Sequence, residues 1–375
     1  MDNNDDPNRL NRLLAACTQH GASDLHLTPG LPPFIRIQGE LQALAGETKL
    51  DAAETLRFTT SLKISDLGPK GSRDGALSTS DGTRYRFNAF RRQNETVLVF
   101  RRLEDRFRAL NDLGLSESLY ALCDLRDGLV IVSGPTGAGK STTLATLIDK
   151  INQTRNCHIV TIEDPIEYIH KPVRSVVNQR QIGMDAPTFN DALVASLRQD
   201  PDVILVGEIR DLDTIRTAIT AAETGHLVFT TLHAGDCVSS IERLVSVFPA
   251  NEQDGVRRQL SIVLRAIVAQ HLVAVPDTAS ATMKRIAASE VLMVNSAVAH
   301  LIAAGRSNQI YSTMEAGQSV GMQTLEQDLA RLWVGGKISE ITAVGLARNP
   351  ATVRDRAAML RKRNIAKQLS TGGGR

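Results

Sequence analysis

A glycine-rich segment carries the clearest chemistry in the sequence. Gly134-Pro-Thr-Gly-Ala-Gly139-Lys140-Ser141 follows an apolar stretch and fits the Walker A pattern G-x-x-x-x-G-K-[ST] in full. In that pattern the backbone amides turn inward around phosphates, the lysine reaches the β and γ phosphates, and the hydroxyl coordinates Mg²⁺. The segment therefore predicts a site for ATP and Mg²⁺, with Lys140 also catalytic; the alternative is a chance glycine loop. The residues expected to bind the nucleotide are Gly134, Pro135, Thr136, Gly137, Ala138, Gly139, Lys140, Ser141 and Thr142.

Carboxylates follow two further apolar segments, at the points where strands are predicted to end. One segment runs into Glu163 and the other into Gly207-Glu208. The carboxyl ends of parallel strands line the crevice where ligands bind. ATP hydrolysis needs one carboxylate to orient water and another near the metal, whereas the alternative interpretation is a helix cap or an acidic loop. The second segment resembles a Walker B motif with Gly207 in place of the usual Asp, which leaves Glu208 as the nearest carboxylate.

Two histidines, His226 and His233, bracket the apolar residues 227–231. We expect this pair to sense the γ-phosphate and to contribute to nucleotide binding. A purely structural role is the first alternative. A metal pair formed by His233 and Cys237 is the second, although no further ligand lies nearby at the spacing of a metal site.

Arginines are concentrated between residues 84 and 108, where two strands of a hairpin are predicted. Most of them are expected to form a solvated face, and a phosphate-binding patch is an alternative. Arg84 and Arg101 lie on the two predicted strands, so we select them as candidate arginine fingers for a nucleotide bound in the next domain or subunit. The eight arginines are Arg84, Arg86, Arg91, Arg92, Arg101, Arg102, Arg106 and Arg108.

The elements that must position these residues fall into three regions. Up to about residue 105, short strands and helices are mixed, which is typical of a small α+β domain. From Gly128, short apolar strands at 129–133, 158–162, 203–206 and 227–231 alternate with helical stretches, which indicates a parallel sheet with helices on its faces. After about residue 295 the pattern is helical, and the basic C-terminal tail is expected to be disordered.

Composition excludes several classes of protein. The 375 residues are 42% hydrophobic, which excludes a disordered chain. A net charge of +2 and 4% aromatic residues argue against a nucleic-acid partner and hence against a DNA translocase. No apolar run approaches the roughly 18 residues of a membrane helix. The acidic start lacks the features of a signal peptide, so we expect a cytoplasmic protein.

Taken together, these residues resemble the secretion-type traffic ATPases, and within them the PilT/PilU pilus retraction ATPases. The segment Gly21-Ala-Ser-Asp-Leu-His-Leu is similar to the family's N-terminal signature. The segments at Glu163, at Glu208 and from Thr224 to His233 are similar to its aspartate box, atypical Walker B motif and histidine box. Val177-Asn-Gln-Arg180 also fits. The similarity covers about residues 10–345.

The resemblance implies an α/β chain with residues 1–110 as a PAS-like α+β domain and 111–117 as a linker. Residues 118–294 would form a RecA-like P-loop ATPase core, and residues 295–375 a helical region. It further implies that Glu163 is the general base and that Glu208 is the Walker B glutamate, which binds Mg²⁺ with Ser141, partly through water.

The partners that the resemblance implies are those of a motor. The chain would form a homohexameric ring at the cytoplasmic face of the inner membrane, act on a pilus platform protein, and remove pilin during twitching-type retraction. A paralogous pilus ATPase is a further possible partner. The four-cysteine zinc motif typical of the extension ATPases is absent from the sequence, which favours retraction.

One segment departs from the family pattern. The retraction signature Ala-Ile-Arg-Asn-Leu-Ile-Arg-Glu corresponds here to Ala297-Val-Ala-His-Leu-Ile-Ala-Ala304, without either arginine. An ATPase of a conjugation or type IV secretion apparatus therefore stays open as an alternative. A small-molecule kinase is disfavoured because no arginine-rich lid follows the core, and a non-enzymatic scaffold because Lys140, Ser141 and Glu163 are all present.

Overall fold

The computed structural model describes residues 8–37, 39–69, 71–103, 106–275 and 285–372. It divides the chain into two units, Met1–Arg106 and Phe107–Arg375. Each unit has its own sheet and its own hydrophobic core.

The first unit is built on a six-stranded sheet in the order β3-β2-β1-β6-β5-β4, in which all neighbours are antiparallel. Its helices are α1 (Arg9–Gln19) and α2 (Ala52–Ser61). The strands are β1 (Asp24–Leu27), β2 (Phe34–Ile37), β3 (Glu40–Ala43), β4 (Ser72–Ser78), β5 (Arg84–Arg92) and β6 (Glu95–Arg102).

Sequence patterning explains the arginine-bearing hairpin of this unit. Burial alternates along β5, where Tyr85, Phe87 and Ala89 face the core. The turn to β6 consists of Gln93 and Asn94, both at positive φ (48° and 66°), the backbone that matches a two-residue hairpin. The predicted α+β domain is therefore confirmed, including this hairpin.

The second unit contains a seven-stranded sheet in the order β13-β12-β7-β11-β10-β8-β9. All neighbours are parallel except β12 and β13, which are antiparallel. Its strands are β7 (Gly128–Ser133), β8 (His158–Glu163), β9 (Val176–Gln181), β10 (Val203–Val206), β11 (Leu227–Leu232), β12 (Leu264–Ala274) and β13 (Arg285–Met293).

Helices cover both faces of this sheet. On β7, Leu129 and Ile131 belong to one core cluster, while Val130 and Val132 belong to the other. Because β7, β10 and β11 are buried on both faces, each is a nearly continuous apolar run and not an alternating one. The helices are α3 (Leu110–Leu113), α4 (Lys140–Thr154), α5 (Phe189–Ser196), α6 (Leu212–Glu223), α7 (Cys237–Ser246), α8 (Gln253–Val263), α9 (Ser296–Ala303), α10 (Ile310–Ala316), α11 (Leu325–Val334), α12 (Glu340–Leu346) and α13 (Pro350–Gly372).

The segment predicted as a linker needs a correction. The division between the units falls after Arg106, and residues 111–117 lie inside the second unit. Leu110 and Leu115 are buried in the same cluster as Leu147 of α4. The two leucines cover one face of the sheet. A solvated connector would not be buried in this way.

The C-terminal part of the second unit is helical, as predicted. Leu325, Leu329 and Leu332 of α11 pack with Val353 and Ala357 of α13 in a cluster of their own. Helix α13 continues to Gly372, through most of the basic tail that the sequence predicts to be disordered. Residues 373–375 lie outside the described residues.

Candidate functional site

The glycine-rich segment forms a loop between β7 and α4. Gly134, Gly137 and Gly139 have φ values of 146°, 77° and 85°, which L side chains rarely adopt. Gly134 also lies against the backbone of β12: a Cβ atom there would be 2.3 Å from the Gln270 carbonyl oxygen. The glycines are therefore required both by the turn and by the close approach of a second backbone.

Gln270 holds this loop from the neighbouring strand. Its side chain, 1% exposed, donates from Nε2 to the Ala138 carbonyl (2.6 Å) and accepts at Oε1 from the Thr143 hydroxyl (2.9 Å). It thus bridges the loop and the first turn of α4. A buried amide with both ends paired fixes the position of the groups around it.

Lys140 folds back over the same loop. Its Nζ donates to the carbonyls of Gly134 (2.9 Å) and Pro135 (3.0 Å), and the residue is 9% exposed. Burial lowers the pKa of this ammonium group, the Glu208 carboxylate opposes that shift, and Arg210 adds to it. A phosphate oxygen is a stronger acceptor than these carbonyls, so the ammonium group is suited to exchange them for a phosphate.

The two hydroxyls after Lys140 differ in their surroundings. Ser141 is exposed at the start of α4, as a metal-binding hydroxyl needs to be. The Thr142 hydroxyl is paired with the Tyr168 hydroxyl at 2.9 Å. If Thr142 contacts a nucleotide, we therefore expect its backbone N–H to be the group that does so.

Strand register brings the acidic residues to the end of the sheet where this loop lies. Val206 pairs with Ile162 on one side and with Thr230 on the other, and Thr230 pairs with Ile131 of β7. The carboxyl ends of β7, β8, β10 and β11 are therefore level. Glu163, Glu208 and His233, each at or just beyond one of these ends, share this edge with the glycine loop.

Glu163 is held by side-chain donors on its own strand and on β9. Its Oε1 accepts from the Thr161 hydroxyl (2.6 Å) and from Gln179 Nε2 (3.2 Å). Burial raises the pKa of this carboxyl group, and the two hydrogen bonds act in the opposite direction. A carboxylate that is partly desolvated and fixed in orientation is the arrangement that a general base requires.

Close packing accounts for Gly207 at the usual position of the Walker B aspartate. A Cβ atom on this residue would be 3.2 Å from the Ile162 carbonyl oxygen and 3.4 Å from Glu163 Cα. The Gly207 carbonyl also accepts from the Thr231 hydroxyl at 2.6 Å. Three strand ends converge here, and a side chain would require the backbone at Ile162 and Glu163 to shift.

Glu208 lies between an arginine and a histidine. Its Oε2 is 2.7 Å from Arg210 Nη2 and 3.7 Å from His233 Nε2. The pKa of His233 is lowered, first by burial and then by Lys140 and Arg210, while Glu208 opposes this. His233 is therefore a neutral imidazole at neutral pH, next to a carboxylate that belongs to the site.

The structure does not bring His226 to the glycine loop of its own chain, and its predicted role in nucleotide binding stays a prediction. His226 precedes β11, and its carbonyl accepts from Gly128 N at the start of β7. Its Nδ1 lies 3.0 Å from the Ala221 carbonyl oxygen. Since β11 is six residues long, His226 is about 20 Å from the end where the glycine loop lies. The two histidines of the motif therefore lie at opposite ends of strand β11.

The alternative metal pair is not formed either. Cys237 is fully buried, and its thiol lies within hydrogen-bonding distance of the Ile267 and Glu290 carbonyls. Among the residues that the structure describes, no group of three His, Cys, Asp or Glu side chains could hold a metal ion.

The two arginines predicted as fingers lie in the first unit. Arg101 Nε donates to the buried Asp24 carboxylate at 2.9 Å, although the Arg101 side chain is 70% exposed. Arg84 begins β5, opposite Ser78 of β4. Their role toward a nucleotide stays a prediction.

Sequence reasoning missed three residues that shape the site. Arg210 is part of the matched Walker B segment, but no role was derived for it. Gln179 lies in Val177–Arg180, whose fit to the family pattern does not indicate a role for the individual residue. Gln270 gave one detectable indication, an amide inside an apolar strand, where a polar side chain requires a partner.

A strand, phosphate loop and helix on a largely parallel sheet, with carboxylates at the neighbouring strand ends, define a P-loop ATPase with a RecA-like core. The model of the Type II/IV secretion system protein family matches residues 5–332, so the chain belongs to this family. It is accordingly an ATP hydrolase of the secretion ATPase superfamily.

Relatives in this family match nearly the whole chain. The type IV pilus retraction ATPase PilT of Pseudomonas aeruginosa is 41% identical over 91% of this chain and 98% of its own length. A twitching motility protein of Neisseria gonorrhoeae is 39% identical over 84% of each chain. The solved structure of the pilus retraction motor PilT with bound ADP superposes with a TM-score of 0.84, 38% identity and coverage of 92% and 99%.

Of the helices that the structure describes, none has the length and apolar character needed to cross a membrane.

Restoring the usual aspartate should impair the site rather than improve it. We expect Gly207→Asp to lower the ATPase kcat by roughly 10²-fold, because the side chain displaces the backbone that carries Glu163. Phosphate release by the purified variant measures this. Gly255→Asp is the matched control, since a Cβ at Gly255 meets no atom within 4 Å. Equal or higher activity of Gly207→Asp, with both variants folded, would contradict the packing argument.

Proposed function

We propose that this chain is the motor ATPase of a pilus retraction system, which uses ATP hydrolysis to withdraw pilin through an inner-membrane platform protein. The observation that carries this proposal is the set of Lys140, Glu163 and Glu208 at one edge of the sheet, in a chain that matches PilT over nearly its full length.

The glycine loop supplies the binding energy for the phosphates. Its amides and the N-terminus of α4 present partial positive charge to an anion. Lys140, already directed onto the loop, neutralises charge on the β and γ phosphates. Because Gln270 holds the loop in place, little reordering is needed when the nucleotide binds.

The oxygen donors near the loop suit a magnesium ion. Mg²⁺ prefers hydroxyl, carboxylate and water oxygens, and Ser141 and Glu208 offer the first two. These residues would hold the ion, Glu208 partly through water. When bound, Mg²⁺ neutralises phosphate charge and orients the γ-phosphoryl group.

Glu163 is the residue we assign to activation of water. Its carboxylate accepts the proton of the attacking water, and burial raises its pKa toward the range in which a base is effective. His233, neutral and 3.7 Å from Glu208, is placed to report the state of the γ-phosphate to the loop that leads into α7.

We propose a homohexameric ring at the cytoplasmic face of the inner membrane, where a paralogous pilus ATPase could join it and no nucleic acid takes part. Arginine fingers act across subunit boundaries in such rings. Arg84 and Arg101 are the candidates for that role here, because they belong to a different unit from the phosphate loop.

The sequence of helix α9 favours a second candidate function. In α9, Val298 and Ile302 are buried in the core, which keeps the helix in place, but the charges of the retraction signature are missing. An ATPase of a type IV secretion or conjugation apparatus would have no need of those charges.

Glu163→Gln separates binding from hydrolysis. We expect this variant to bind ATP with an affinity close to that of the unsubstituted protein, while kcat falls about 10²–10⁴-fold, because an amide cannot accept the proton of water. Calorimetry and phosphate release measure the two quantities.

The same variant tests the biological role in its native host. Cells that carry Glu163→Gln in place of the natural gene should retain surface pili and fail to retract them. Normal retraction combined with loss of secretion or conjugation would contradict the retraction proposal and support the second candidate.

Mixed rings test the arginine assignment. Arg101→Ala and Lys140→Ala should each be inactive alone, since an arginine finger is worth about 10³–10⁵ in rate. If Arg101 acts in trans, rings that contain both variants should recover part of the activity, because some interfaces pair the two intact residues. Arg86→Ala is the matched control, because Arg86 pairs with Arg101 in register on the adjacent strand. Inactive rings that are demonstrably mixed would contradict action in trans.

A further inference from the structure

Gln179 of β9 connects three parts of the site through one amide group. Its Nε2 donates to Glu163 Oε1 (3.2 Å) and to the Tyr168 carbonyl (2.8 Å). Its Oε1 accepts from the backbone N–H of His170 at 2.9 Å. Because one neighbour is a carbonyl and another is an N–H, only this orientation of the amide satisfies both.

These bonds fix the segment that follows β8. Tyr168 and His170 are held to β9 by the Gln179 amide, and the Tyr168 hydroxyl in turn pairs with the Thr142 hydroxyl of α4 at 2.9 Å. His170 is buried and stacks on Phe107 with ring centroids 4.8 Å apart. The segment is thereby attached both to the strand beside Glu163 and to the helix that follows the phosphate loop.

We propose that Gln179 is a positioning residue for ATP hydrolysis: its amide holds the Glu163 carboxylate in the orientation needed to accept a proton, and holds it in register with the phosphate loop through Tyr168. This inference rests on the proposed role of Glu163 as general base. Gln179 itself touches neither the phosphates nor the water.

The ionisation of Glu163 makes the proposal testable through the pH dependence of kcat. The donors Thr161 and Gln179 and the Glu167 backbone N–H stabilise the ionised carboxylate, while burial and the Glu167 side chain destabilise it. The negative charge of the Glu167 side chain raises the pKa of Glu163. Removing the Gln179 donor should therefore raise the pKa of Glu163 and move the acidic limb of the kcat–pH profile to higher pH, since hydrolysis requires the ionised form.

Two substitutions of similar size separate the donor from the acceptor function. Gln179→Glu keeps an acceptor for the His170 N–H and loses the donor to Glu163, whereas Gln179→Met loses both. We expect each to lower kcat about 10- to 100-fold, the worth of a hydrogen bond to a charged group. The KM for ATP and the affinity for ADP should stay within about threefold. The acidic limb of the kcat–pH profile should move to higher pH in both variants. It should move further in Gln179→Glu, because this substitution adds a carboxylate next to Glu163.

Asn178→Ala is the matched control. The Asn178 side chain, next to Gln179 in the chain, pairs with half-buried His158, so this substitution should change neither kcat nor the pH profile. A kcat within threefold of the unsubstituted protein and an unshifted limb in Gln179→Glu would overturn the proposal. So would a loss of thermal stability without a change in kcat, which indicates a purely structural role.

Combining the Gln179 substitutions with Glu163→Gln tests the positioning role of Gln179 separately from the general-base role of Glu163. If Gln179 acts through Glu163, Gln179→Met should cause no further loss of kcat in the Glu163→Gln background. Normal hydrolysis by Glu163→Gln alone would refute the general-base assignment. A full loss in Glu163→Gln together with normal Gln179 variants would refute only the positioning role.

Discussion

The site depends on one close approach between backbones, that of the phosphate loop against strand β12. Gly134 lies so near the Gln270 carbonyl that any side chain would separate the two, and the Gln270 amide then binds both the loop and the first turn of α4. Buried polar groups that are fully paired define one arrangement of the chain around them. The loop is therefore held by contacts within the chain, and Lys140 is held over it by two of the loop's own carbonyls.

The same constraint operates where the catalytic carboxylates lie. Gly207 allows β10 to lie close to the backbone at Ile162 and Glu163, so that the ends of three strands meet beside the phosphate loop. This packing leaves little room for an aspartate at position 207, and Glu208, one residue later, is the carboxylate that pairs with Arg210 and lies near His233. Gly134 and Gly207 lie at two points where backbones approach closely, and they thus determine which side chains can take part in the chemistry.

Local features of the sequence predicted much of this arrangement. The phosphate loop, the four central strands and the hairpin at residues 84–102 are each specified by neighbouring residues: a motif, an apolar run, a turn with two residues at positive φ. The order of the strands is a long-range property. Nothing near Gln270 in the chain indicates that β12 lies beside β7, so neither the bridge from Gln270 nor the antiparallel edge formed by β12 and β13 was predicted.

Two expectations differ from the structure for the same physical reason. His226 and His233 are close in sequence, but the six-residue strand β11 separates them and places them at its opposite ends. Residues 111–117 resemble a connector in composition, while Leu110 and Leu115 are buried beneath the sheet. Sequence proximity and composition describe the chain locally, and burial depends on what the rest of the chain brings against it.

The most direct measurement is the affinity of Gln270→Leu for ADP, determined by calorimetry on the folded protein. Gln259→Leu is the control, because the half-buried Gln259 of α8 pairs with Glu223 and not with the loop. If the bridge from β12 forms the loop, its loss leaves the Ala138 carbonyl without the Gln270 donor and removes the Gln270 acceptor from the Thr143 hydroxyl. The affinity should then fall by about tenfold or more. Gln259→Leu should bind ADP like the unsubstituted chain. An unchanged affinity in folded Gln270→Leu would contradict the account, because the phosphate loop would then hold its shape without the strand beside it.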